Sequence, residues 1–131
     1  MLKSNPEDVN VICTEDCGNA PKKLVLRDLN IAFARNDKAY ILEQISDDVV
    51  WYIVGSKKVI GKDQFSKELS QMKLKKAIEI EINHIITHGN AAAANGVIRY
   101  IKGNYSFCDV YLFNSFRKNA KIKEITSYII E

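Results

Sequence analysis

The sequence predicts a single α+β domain, with helices grouped ahead of an antiparallel sheet. Three observations carry this reading. Val25, Leu26, Leu29, Ala32 and Phe33 recur at helical spacing and form one apolar stripe. From Ile78 onward the pattern changes to alternation, the period of a half-buried strand. Gly89-Asn90, Lys102-Gly103-Asn104 and Lys118-Asn119-Ala120 then break the alternation into strands, and strands joined by such short turns run antiparallel.

Each element has its own signal. Residues 1–20 are polar and without period, apart from Val9-Asn10-Val11-Ile12. They read as an arm or a short strand, and the domain proper is assigned to 21–131. Asn19-Ala20-Pro21 is a helix start. Asparagine can cap, and proline suits the first turn because its missing N–H has no helical partner there. Asn36-Asp37 ends this first helix. A short second helix turns Ile41, Leu42 and Ile45 inward and ends near Ser46-Asp47. Val49-Val50-Trp51-Tyr52-Ile53-Val54 is β-branched and aromatic, so it reads as a strand covered on both faces, stopped by Gly55-Ser56. Gly61 precedes a third helix with Phe65, Leu69 and Met72 inward. Asp63 lies in its first turn, where the helix dipole favours negative charge.

The strands follow. Ile78, Ile80, Ile82, His84, Ile86 and His88 share one parity. Glu79, Glu81, Asn83 and Thr87 share the other, interrupted by Ile85. Ala91–Ile101 is the next strand, with Gly96 as a bulge or close-approach point. Tyr105–Phe116 and Ile122–Ile130 complete the sheet.

Composition bounds the function. With 131 residues, 47% of them hydrophobic and 27% charged, the chain has the size and balance of one folded domain. The net charge of +3 is scattered in short lysine clusters with no basic run interleaved with aromatics, so nucleic acid is not an expected partner. No apolar run reaches the roughly 20 residues that span a bilayer, so no membrane is expected either. Met1–Asp8 has no apolar core and carries acids, so a signal peptide is not expected and the cytoplasm is the default. Cys13, Cys17 and Cys108 are odd in number and are read as reduced thiols.

Several residues could carry chemistry. His84 and His88 sit on the apolar parity of the most regular strand. If that face is concave, His84 is a proton carrier titrating near neutrality. The alternative is a hydrogen-bonded core histidine, with His88 wet at the turn. Four residues of strand separate the two by roughly 13 Å, too far to share one metal ion, so no metal is expected. Asp109 lies amid Phe107, Cys108, Val110 and Tyr111. It is read either as an ion pair with Arg99 across the hairpin or as a pocket acid with a raised pKa. Trp51 and Tyr52 point to opposite strand faces, so one lines a pocket and the other covers the outside. No phosphate loop, nucleophile elbow or zinc-protease motif occurs, and no cofactor is expected.

Two ordered sets of residues resemble the SnoaL-like branch of the nuclear transport factor 2-like superfamily. The first is Asp47-Asp48-Val49-Val50-Trp51, then Gly55 and Gly61-Lys62-Asp63-Gln64-Phe65. The second is Phe107-Cys108-Asp109-Val110-Tyr111, then Lys121-Ile122 and Ile125-Thr126-Ser127-Tyr128. With the element order, the similarity spans about Pro21 to Glu131. It implies a bent sheet curled with about three helices into a cone around an apolar pocket, often paired with a second copy through the outer sheet face. The ketosteroid isomerase triad of that superfamily falls here on Ile53, Leu29 and Leu112, all apolar, so that chemistry is not supported. Of the Asp-Arg-Asp set of limonene-epoxide hydrolases, Arg99 and Asp109 could meet, and a second inward acid is lacking.

The resulting expectation is a domain that binds a small apolar ligand. If it is an enzyme, it does cofactor-free acid–base chemistry of isomerase, hydrolase or cyclase type. His84 and Asp109 would be catalytic, with Trp51, Tyr52, His88, Arg99 and Tyr111 around the ligand. The alternative is a protein-interaction or dimerisation domain with a vestigial pocket. Such a fold hosts many functions and does not choose among them.

Overall fold

The computed structural model describes residues 9–13, 20–72, 77–117 and 119–131. Strand β1 (Asn10–Cys13) is followed by helices α1 (Pro21–Arg35) and α2 (Lys38–Gln44). A hairpin of β2 (Ile45–Ile53) and β3 (Lys57–Ile60) leads into α3 (Lys62–Gln71). Strands β4 (Glu79–His88), β5 (Ala91–Tyr100), β6 (Gly103–Phe113) and β7 (Ile122–Ile130) complete the chain. They form one seven-stranded sheet in the order β1-β4-β5-β6-β7-β2-β3. The run β4 to β7 is an antiparallel meander, as its short turns require. Parallel pairings of β1 with β4 and of β2 with β7 make the sheet mixed.

Four local readings change. Ile45, expected on the second helix, opens β2 and pairs with Ile122, fully buried. The cap of α1 is Ala20 with no side-chain bond, and Pro21 sits in the first turn. Asn19 lies outside the described residues. The segment assigned to the arm supplies β1, whose neighbour Val9 is buried in the core. Cys13, read as a reduced thiol, is disulfide-bonded, whereas Cys108 is free and exposed. An odd count of cysteines carries no information on which of them pair. Cys17 lies outside the described residues. Among the described residues no helix is long and apolar enough to cross a membrane.

The helices cover one face of the sheet. Helix α1 packs on β4, and α3 packs on β2 and β3. Leu26, Leu29, Ala32 and Ala34 on α1 meet Phe65 and Leu69 on α3 and the inward residues of the strands in one core. Trp51 stacks on Phe65 at 4.7 Å between ring centroids and tilts against Phe33 at 5.7 Å. Such pairs contribute about 0.5–1.5 kcal/mol beyond the area they bury.

One irregularity decides which residues face that core. The β4–β5 register slips between Ile82 and His84, leaving Asn83 as an extra residue. A bulge of this kind reverses the inward parity of everything beyond it. Ile80 and Ile82 are buried before it, and Ile85 is buried after it. Gly96, opposite Ile82, makes room for the bulged strand. A Cβ there would lie 1.9 Å from the Glu81 carbonyl oxygen. Contact that short with backbone cannot be relieved by a side-chain rotation. Gly96→Ala should therefore destabilise the domain by about 3 kcal/mol, as overpacking does. Urea unfolding of the variant checks this; a loss below about 1 kcal/mol would mean the bulge yields easily.

Candidate functional site

The inward face of the sheet and α1, with Met72, line a cavity of about 260 Å³ that is open on one side. Its wall alternates as strands dictate. Phe107, Asp109 and Tyr111 come from β6, Ile125, Ser127 and Ile129 from β7, and Ile98 and Tyr100 from β5. Trp51 on β2 and Ile80 on β4 close the sheet side, and Asn30 and Phe33 on α1 form the facing wall. Most of this lining is aliphatic or aromatic. The charged residue among it is Asp109.

Two relays of hydrogen bonds converge on that carboxylate. Asn30, buried on the apolar stripe of α1, donates from Nδ2 to the Leu26 carbonyl at 2.8 Å and to the Tyr111 hydroxyl at 3.3 Å. The Tyr111 hydroxyl then donates to Asp109 Oδ2 at 3.2 Å. On the other side, Trp51 Nε1 donates to Ser127 Oγ at 2.9 Å. Ser127 is the cross-strand partner of Asp109 and hydrogen-bonds its carboxylate. The direction of both relays is fixed at the source. An amide NH₂ and an indole N–H can only donate, so each hydroxyl accepts from behind and turns its own proton toward Asp109.

Asp109 keeps some accessible surface because it faces the cavity, yet protein surrounds it. Desolvation pushes its pKa from an ordinary 3.8 up to about 6, against the hydrogen bonds from Ser127 and Tyr111, which pull it down. Tyr111 is driven well above its usual range, first by burial and then by the neighbouring Asp109 charge, so it stays a protonated donor.

The structure sorts the residues singled out in the sequence. Trp51, Asp109 and Tyr111 meet in the cavity. His84 and His88, expected to face inward, lie exposed on the outer face, because the bulge at Asn83 reverses their parity. His84 Nδ1 lies 3.0 Å from Asn95 Oδ1 on the next strand. Tyr52 is also outward, with Trp51 taking the inner face. Arg99 does not pair with Asp109. It aligns with Asn104 on β6 and reaches outward to Glu79 and to Glu81, the latter at 3.0 Å, whereas Asp109 aligns with Ala94. Arg99 alternates with the cavity residues Ile98 and Tyr100, so it belongs to the opposite face.

Asn30 and Ser127 are the residues of the hydrogen-bond network that the sequence reading missed. Each had a signal: a polar residue at an apolar-phase position. Asn30 lies four residues after Leu26 on the helical stripe, and Ser127 lies between Ile125 and Ile129 on the inward parity of β7.

No protein-family model matches the chain, and no curated protein is similar to it in sequence. Solved structures do match. A nuclear transport factor 2-like protein of unknown function from Burkholderia xenovorans LB400 aligns with a TM-score of 0.73 at 19% identity, over 85% of this chain and 84% of that one. Another, from Cytophaga hutchinsonii ATCC 33406, aligns with a TM-score of 0.67 at 25% identity, over 82% of this chain and 97% of that one. A protein from Shewanella denitrificans OS-217 that carries the name SnoaL-like polyketide cyclase aligns with a TM-score of 0.67 at 14% identity, over 83% of this chain and 90% of that one. The α+β cone is thus the fold of the nuclear transport factor 2-like superfamily, and one matching structure is SnoaL-like.

The buried carboxyl has a consequence for stability. Its folded pKa exceeds its unfolded value, so between about pH 4 and pH 6 the folded state holds more protons than the unfolded state. Stability from this group is therefore lost as pH rises through that window. Asp109→Asn removes the ionisation but keeps an acceptor. The variant should gain stability relative to the parent by about 3 kcal/mol between pH 4 and pH 7, two pKa units converted at 1.36 kcal/mol each. Urea titrations at both pH values measure the difference, and a gap that does not change with pH would show Asp109 ionising normally.

Proposed function

We propose that this domain binds a small, largely apolar molecule in the cone, with Asp109 as the polar anchor of the pocket. The observation that carries this reading is a single carboxylate, fed by two directional donor relays, in an otherwise apolar cavity of about 260 Å³. Binding pockets commonly combine apolar walls with a few placed polar groups. The similarity to ligand-pocket folds such as the SnoaL-like one supports the same reading. A carboxyl whose pKa lies near 6 is also the group best suited to move a proton if the ligand is turned over, in chemistry of isomerase, hydrolase or cyclase type. His84 has no part in this reading, because it lies on the other side of the sheet.

Trp51 is the only tryptophan in the chain and it lines the cavity, so its emission reports occupancy directly. Titration with a neutral aromatic alcohol such as phenylpropanol should change that emission, with a Kd on the order of tens of micromolar for a ligand of this size. Ile98→Trp projects an indole into the cavity and narrows it, and binding followed by calorimetry should then be weakened about tenfold or more. Equal binding by both forms would place the probe elsewhere and sink the pocket reading.

The outer face favours a second, compatible reading: self-association. Ile86, Ala93, Val110, Thr126 and Tyr52 stand in register across five strands, with Ile86, Val110 and Tyr52 exposed. Contiguous apolar surface of this kind is characteristic of protein–protein contact. Light scattering after size exclusion should give twice the mass of one chain, and Val110→Lys, which sets a charge at the centre of the row, should return it to one. A parent protein that is already monomeric at micromolar concentration would rule the reading out.

A further inference from the structure

We propose that the ligand is an organic amine, bound as its ammonium ion with the charge at Asp109 and the carbon body among the aromatic rings. This rests on the pocket reading above and goes further by naming the ligand class. Three observations lead to it.

The first is the direction of the hydrogen bonds. The Trp51 indole N–H and the Asn30 amide NH₂ can only donate, so Ser127 and Tyr111 point their protons at Asp109. The Ser127 and Tyr111 hydroxyls beside Asp109 are already committed to the carboxylate. A carboxylate offers about four lone-pair directions, and two are taken, so what remains toward the cavity is acceptor capacity. A ligand group that meets Asp109 must bring a donor.

The second is charge. Among the described residues lining the cavity there is no lysine, arginine or histidine to offset Asp109. Arg99, on the opposite face of β5 and five positions along the register from Asp109, is engaged by Glu79 and Glu81. An anionic ligand would meet a like charge with no lining cation to offset it. A cation would neutralise it.

The third is the wall. Phe33, Trp51, Tyr100, Tyr105, Phe107 and Tyr111 all contribute to the lining. Aromatic faces attract a cation through their quadrupole, and rings combined with a carboxylate recognise alkylammonium groups. Tyr100 and Tyr105 meet edge to face at 5.7 Å, which holds this part of the wall in a defined arrangement.

The pH behaviour gives an independent handle. The titratable group in contact with Asp109 is Tyr111, which stays protonated. Its other neighbours are Ser127 from β7 and Ala94 from β5, with Asn30 of α1 and Trp51 of β2 one step behind, and none of these titrates. Loss of the charge on Asp109 is then the event that acidification brings to the site.

The test uses three probes of one shape: phenylpropylamine, phenylpropanol and phenylpropanoate, titrated calorimetrically into the full chain. At about pH 7.5 the amine should bind about tenfold or more tightly than the alcohol, and the carboxylate should not bind measurably. At about pH 5, one unit below the pKa near 6, the amine should weaken by about tenfold while the alcohol changes little. Asp109→Asn, checked for folding by circular dichroism, should bind amine and alcohol alike. The pH series on the unaltered protein keeps the test valid even if that variant does not fold. Alcohol binding equal to amine binding would overturn the amine assignment and leave the pocket reading standing. If none of the three binds, both fall.

Discussion

Placing a carboxylate on an apolar sheet face has a cost that the surrounding structure must offset, and much of this fold is arranged around that requirement. Asp109 accepts hydrogen bonds from the Tyr111 and Ser127 hydroxyls, and each of these accepts in turn from an N–H group that can only donate. The supporting groups come from different places. Asn30 is on α1, Trp51 is on β2, and the two hydroxyls are on β6 and β7. A single carboxylate is thereby linked to the helix and to strands far apart in sequence. Asn30 and Tyr111 are separated by 81 residues, and Trp51 and Ser127 by 76. Buried polar groups linked in this way specify one packing out of many that hydrophobicity alone would accept.

The bulge in β4 acts at the level of geometry where the relays act at the level of chemistry. One extra residue moves His84, Ile86 and His88 to the outside and lets Ile85 take the inward position. Gly96 permits this because no side chain stands between the two backbones. The cavity therefore contains an acid and no base among its described lining residues. That asymmetry follows from a local change of register and not from the composition of the strand.

The sequence was legible where a single period ran undisturbed. The stripe on α1 and the turns on either side of β5 appear in the structure as the spacing implies, whereas the strand around Trp51, expected to be covered on both faces, leaves Tyr52 exposed, and β6 stops at Phe113 instead of running to Phe116. The histidines were misplaced because alternation was extended through Asn83, although Ile85, apolar on the polar parity, marked the break. Asp109 was noticed for its apolar surroundings, but its partner was assigned by proximity in the hairpin, and parity excludes that partner. Asn30 and Ser127 needed a different kind of reading, in which a polar residue in an apolar phase signals a buried network. The β2–β7 pairing joins segments some 70 residues apart, and no local pattern encodes such a neighbour.

The two outermost strands limit how the sheet can meet other chains. Both β1 and β3 are four residues long, against nine to eleven in the strands between them. Strand β3 carries Lys57 and Lys58, both exposed. Short, lysine-bearing borders are poor templates for strand addition. Growth of the sheet from one molecule into the next, the route to fibrous aggregates, is disfavoured at that border, while the broad outer face stays open to contact.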